Sequence, residues 1–250
     1  MSDEHARANG TPPAASTEPR TYHRWAMYQF AESWRRLDPS SHDAALEELR
    51  GVLEWKSAPR QLCYSLAGLR ADADFAVWLK AEEGTAPLQE FERRIRASAA
   101  GAHLVLTHNF ISMTKPSPYA RREVEPEREA LRAYPGGAPY VFVYPMVKTR
   151  AWYALSPDER GQLMREHVAI GQKYPTIRIN TTYSYGIDDQ EFVVAFEGDD
   201  PAQFLDLVHE LRFTKASEYT LRDTPMFTCV LRSPAELIAD FRTTAAAAVR

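Results

Sequence analysis

The sequence predicts an α+β protein built from two tandem βαββαβ units, the ferredoxin-like arrangement, which together form a dimeric α+β barrel within one chain. Three observations predict it. Strand-like and helix-like stretches follow in the order strand, helix, strand, strand, helix, strand, and the same order then repeats. Between the two runs the texture changes to prolines, glycines and dense charge. A faint echo, GLRADADF at 68–75 against GIDDQEF at 186–192, falls at the middle hairpin of each run.

The elements can be justified in order. Residues 1–20 are small, polar and proline-bearing, which predicts a disordered tail. The N-terminal half, 21–115, is expected to be structural. It opens with the aromatic-rich strand YHRWAMYQF at 22–30, followed by a helix over about Ser40–Trp55, where Ala45, Leu46, Leu49 and Val52 share one face. QLCYSLAGL and ADFAVWLKA then read as a strand pair, Pro87–Ser98 as a helix and AHLVLTHNFISM as the fourth strand. Residues 116–138 suit a connecting segment. The C-terminal half, 139–250, repeats the syntax. PYVFVYPM is a strand, Ser156–Lys173 a helix, TIRINTTYSYG and DQEFVVAFEG a strand pair, Pro201–Phe213 a helix and MFTCVLR a strand. Ser156-Pro157-Asp158-Glu159 and Ser233-Pro234-Ala235-Glu236 each offer an N-cap serine, proline at the first helical position and a glutamate that completes a capping box.

Composition bounds the function. The chain has 250 residues, 44% hydrophobic and 26% charged, and a chain of that length buries roughly 70–75% of its unfolded surface without staples. Thirty basic against thirty-four acidic residues, with no long basic run, leave no electrostatic footprint for nucleic acid. No apolar run is long enough to span a membrane and no secretory leader is visible, so a cytoplasmic protein without membrane insertion is expected. Cys63 and Cys229 form no CxxC, Cys/His or CxxCH pattern, which excludes zinc fingers and covalent haem.

Two places carry candidate chemistry. His167 sits in the capped helix with Leu163, Met164 and Ile170 on its face. It is either a core histidine bonded to a carbonyl or the ligand of a buried metal or haem iron. At the end of the strand opening the second half, alternation sends Tyr144, Met146 and Lys148 to one side. They are either core with a solvated lysine, or the lining of a cavity suited to an anionic, apolar, redox-active guest. His23, His103 and His108 lie on or near strands and read as structural, while His5, His42 and His209 offer no site.

Longer stretches point to a family. YPMVK at 144–148, WYALSPDER at 152–160, REHVAIG at 165–171, YGIDDQEFVVAFEGDDPAQF at 185–204 and HELRFTKAS at 209–217 resemble the chlorite dismutase superfamily, and more closely its coproheme decarboxylase branch. The first half resembles it in element order and in FISMTKPSPY at 110–119. The resemblance implies that the second half carries the haem site, with His167 as the axial metal ligand. It further implies that Tyr144 is the redox-active catalytic residue and Lys148 the catalytic lysine beside the reacting propionate. Arg132, Met146 and Ser217 would join Tyr144, Lys148 and His167 in binding the tetrapyrrole, and Arg212 falls on a family arginine near the pocket. The implied substrate and redox cofactor is iron-coproporphyrin III (coproheme), converted with hydrogen peroxide to haem b, and the implied assembly is a homopentamer.

Two departures separate the chain from true chlorite dismutases. Ile179 stands where those enzymes carry a distal arginine, and Ala216 where a glutamate bonds the axial histidine. Both point to the decarboxylase branch. A non-enzymatic haem carrier or sensor, and a chlorite-degrading or peroxidase-like enzyme, stay open as alternatives.

Overall fold

The computed structural model describes residues 20–56, 59–82, 84–115 and 136–242. The expected tail and most of the connecting segment, with Arg132, lie outside them. In the first half, β1 (Tyr22–Phe30) is buried on both faces. Trp25 and Met27 enter one apolar cluster, Ala26 and Tyr28 another, so the strand is walled on either side. α1 (Pro39–Leu53) begins where the Asp38 carboxylate accepts from the Ser40 and Ser41 amides. β2 (Arg60–Ser65), β3 (Phe75–Ala81), α2 (Ala86–Ala97) and β4 (Leu104–Met113) complete the unit.

The second half repeats it. β5 (Tyr140–Lys148) leads through the short α3 (Arg150–Ala154) into α4 (Pro157–Gly171). β6 (Arg178–Tyr183), β7 (Phe192–Gly198), α5 (Pro201–Arg212), β8 (Thr220–Arg222), β9 (Phe227–Arg232) and α6 (Pro234–Phe241) follow. Ser156 and Ser233 form the expected capping boxes with Glu159 and Glu236.

Each half has the strand order fourth, first, third, second: β4-β1-β3-β2 and β9-β5-β7-β6. β2 pairs with β9 and β4 meets β6, so the two sheets close into one eight-stranded antiparallel ring, with β8 added beside β5. Inside the ring lie Trp25, Tyr64, Trp78, Val143 and Phe227. Outside it, α1, α2 and α6 cover the first half through Leu46, Leu49, Phe91 and Leu237. α4 and α5 flank the second, where Phe142, Tyr144, Phe196 and Leu207 form a separate cluster.

The duplication keeps a constant interval. Tyr140 follows Tyr22 by 118 positions (140 − 22), and the same interval links Trp34 to Trp152 and the helix-opening Pro39 to Pro157. By that interval Leu49 is the counterpart of His167. The two cover helices nevertheless pack differently. α1 buries His42, Ala45, Leu46, Leu49 and Leu53, whereas no residue of α4 is buried. The first cover helix is packed into the core; the second is only partly buried.

Candidate active site on the outer face of the second sheet

The site is built on the outer face of β5. Tyr144 is buried against Phe196, with ring centroids 5.9 Å apart, and Met146 packs on the same outer-face cluster. Burial raises the phenol well above the usual tyrosine range, and the Asp223 carboxylate adds to the effect while Arg212 opposes it. Tyr144 therefore carries its proton at neutral pH.

Lys148 is no solvated strand end. It is only 9% exposed, and its Nζ donates to the Ala216 carbonyl and to Thr220 Oγ1, both at 3.1 Å, while lying 5.0 Å from the centre of the Trp152 ring. Burial brings its pKa down to about 8, against the upward pull of Asp223 and Glu191. The β5–β7 ladder ends at Met146 opposite Phe192, and the register of β5 against β8 shifts between Val147 and Lys148. The amide of Lys148 accordingly leaves the ladder and donates to Glu191 Oε2 at 2.8 Å.

His167 comes from α4 on the opposite wall. It is half-buried, and its Nδ1 is fully buried with no hydrogen-bond partner. The 3-10 turn Lys215–Tyr219 packs against α4, and its buried Ala216 has no polar side chain to offer. Burial, helped by the charge of Lys148, lowers the imidazole to about 4, so it is neutral at physiological pH. A neutral imidazole with a buried, unpartnered nitrogen, on a helix that is only partly buried, fits the demands on a ligand to a metal in a flat macrocycle. Among the described residues no group of three or more His, Cys, Asp or Glu side chains could hold a bare metal ion.

The remaining expected residues divide. Ser217 lies on the same turn as Ala216, but its hydroxyl lies 2.7 Å from both the Arg212 and the Thr214 carbonyls, so its proton is engaged locally. Arg212 is ion-paired with Asp223 at 2.5 Å. Ile179 is 41% exposed on the outer face of β6, and a side chain at Gly171 of α4 would touch it. Sequence reasoning did not single out Asp223, Glu191, Tyr153 or Trp152. Glu191 accepts from the Tyr153 hydroxyl at 2.6 Å, and that hydroxyl is 2.9 Å from the hydroxyl of Tyr185. Only the nearness of Glu191 to the GIDD turn could have flagged it.

Four of the other histidines have structural neighbours, although His23 Nε2 is, like His167 Nδ1, buried without a hydrogen-bond partner. His23, inside the ring, accepts from Trp78 Nε1 at 3.1 Å; His108 pairs with Asp72 at 2.9 Å; His103 lies 2.8 Å from the Ser33 hydroxyl. His42, which sequence reasoning left near a helix start, is buried against Trp34. Both cysteines are buried and free.

Fold and site together define a class: a duplicated ferredoxin-like barrel with a candidate ligand histidine on the cover helix of its second half. The chain belongs to the chlorite dismutase family, which matches residues 42–232. Among similar proteins, the coproheme decarboxylase of Mycolicibacterium smegmatis is 31% identical over 176 residues, covering 70% of this chain and 74% of that one. The coproheme decarboxylase of Thermus thermophilus is 32% identical over 216 residues, covering 78% and 82%. A chlorite dismutase variant from Candidatus Nitrospira defluvii superposes with a TM-score of 0.80 at 25% identity, over 89% of this chain and 95% of that one.

Proposed function

We propose that the protein is a coproheme decarboxylase, which uses hydrogen peroxide to convert two propionates of coproheme III to vinyl groups and so yields haem b. The observation that carries this reading is that the element bearing Tyr144 and Lys148 packs close to the one bearing His167. Tyr144 shares an apolar cluster with Ile170, three residues beyond His167 on α4, and Lys148 is near enough for its charge to act on the imidazole. Relatives named for this activity at 31–32% identity support it.

His167 would hold the iron, and Met146 and Ser217, with Arg132, would border the tetrapyrrole. When bound, the iron porphyrin supplies oxidising equivalents from peroxide. Per propionate, one peroxide and one proton are consumed, and a vinyl group, one carbon dioxide and two waters are formed. Tyr144 would pass the oxidation on. Because its phenol is protonated, it gives up an electron and its proton together, and the resulting neutral radical takes a hydrogen atom from the β carbon of the propionate. The Lys148 ammonium neutralises the carboxylate and keeps it in register with the phenol. Ile179 and Ala216, standing in for the arginine and glutamate of chlorite dismutases, support decarboxylation over oxychlorine chemistry. The reading includes action in the cytoplasm as a homo-oligomer, a pentamer by family resemblance.

Mass analysis of coproheme incubated with the protein and peroxide tests it. Stepwise loss of two carboxyl groups is expected, and a Tyr144→Phe variant is expected to bind coproheme yet leave it intact. Stoichiometric binding without consumption would instead mark a carrier, and oxygen release from chlorite a dismutase.

A further inference from the structure

Glu191 stands apart from every residue assigned above, yet it touches the site twice through one oxygen. Its Oε2 accepts the backbone amide of Lys148 at 2.8 Å and the Tyr153 hydroxyl at 2.6 Å. Its own amide donates to the Met146 carbonyl at 3.1 Å, and its carbonyl accepts from Ser184. The residue is thus held at its backbone and at one carboxylate oxygen. It hangs from the start of β7 while α3, through Tyr153, holds its other side. A backbone amide at a frayed strand end normally falls to water. Here it falls to a charged acceptor, and such bonds are about twice as strong as neutral ones.

The lysine this anchors has little freedom left. Its Nζ is bonded to Ala216 and Thr220 and lies over the Trp152 ring. Trp152 and Tyr153 are neighbours in α3, so one short helix presents a ring to the ammonium and a hydroxyl to the carboxylate that holds the same lysine's backbone. We propose that Glu191 is the positioning residue for Lys148: held by Tyr153, it fixes the lysine's backbone at the end of β5 and thereby sets where the ammonium meets a substrate carboxylate. The proposal rests on the reading of Lys148 as the residue beside the reacting propionate.

The test uses the full chain, with and without coproheme. Glu191→Ala removes the anchor, and Glu191→Gln keeps an acceptor while removing the charge. In the loaded protein, Glu191→Ala should lower kcat at least about 10-fold with KM for coproheme within about twofold, and Glu191→Gln should restore kcat to within about threefold of the parent. In the unloaded protein, competitive acetylation of Lys148, followed by peptide mass across a pH series, reads the ammonium directly. The charged or titratable groups acting on it are Asp223, Glu191 and His167. Losing the Glu191 charge should move the labelling midpoint to lower pH in Glu191→Gln. A folded Glu191→Ala variant with parental kcat overturns the proposal, and so does an unchanged labelling midpoint in Glu191→Gln, which reports even where the alanine variant does not fold. Parental turnover by Lys148→Ala would instead remove the lysine from the reaction, while the labelling still decides whether the Glu191 carboxylate acts on its ammonium.

Discussion

Lys148 concentrates the electrostatics of the site. A lysine held at 9% exposure with its pKa brought down to about 8, below its ordinary 10.5, destabilises the fold while it is charged. The sign follows from linkage. Between about 8 and 10.5 the unfolded chain holds the proton and the folded chain does not, so stability rises with pH across that window and the gain is lost as pH falls through 8. Replacing the charge with an isosteric apolar chain, Lys148→Met, should therefore raise the melting temperature at pH 7, by the equivalent of on the order of 2–3 kcal/mol, and flatten its pH dependence. Thermal melts at pH 7 and pH 10 check this. Activity should run the other way. Lys148→Ala should bind coproheme within about threefold of the parent yet convert it at least about 10-fold more slowly. In the parent, turnover should decline on the alkaline side as the ammonium loses its proton. Much of this residue's role was legible in YPMVK, where alternation sends it to the side of Tyr144. Its burial was not, because the covering groups, Ala216 and Thr220, arrive from 68 and 72 residues later.

At the scale of the element, the contrast between α1 and α4 is the instructive one. Leu49 is fully buried under α1, so Leu49→Ala should cost about 2–5 kcal/mol, measured by denaturant unfolding. His167, its counterpart 118 positions on (167 − 49), lies on a helix with no buried residue. His167→Leu, which restores the first-half residue, should leave the unloaded protein at least as stable as the parent and abolish the Soret shift on coproheme titration. The sequence pattern gave the helix itself, its capping box and the facing of His167 with Leu163, Met164 and Ile170. It did not show that this apolar side stops short of full burial, since periodicity reports which residues share a face but not how closely that face is approached. The short α3 and the 3-10 turn Lys215–Tyr219 were also missed, being too brief to leave a period. Both touch Lys148, which is why part of the site was hidden with them.

Across the whole molecule the ring closes unequally. β2 and β9 share three residue pairs, whereas β4 and β6 share only Met113 with Tyr183. Side chains sew the weaker seam: Ser112 and Thr182 hydroxyls meet at 2.7 Å, Ser184 donates to the Ile111 carbonyl, and Asp188 of the GIDD turn accepts the Ile111 amide at 2.7 Å. Asp188→Ala should therefore speed hydrogen exchange at Ile111 and its neighbours in β4 while leaving the β1–β3 amides slow. The repeated strand order was readable from the sequence, but the closure was not, because no local pattern reports which edge of one unit meets which edge of the other. Closure has a consequence for how copies can meet. Among the described residues each of the eight strands has two neighbours, but the ladder is interrupted at the β4–β6 seam, paired only at Met113 and Tyr183, so unpaired strand edge remains there and along the three residues of β8. Strand-on-strand contact between copies has only those two places to start from, and everywhere else on the circumference a meeting of copies would rest on outer side chains.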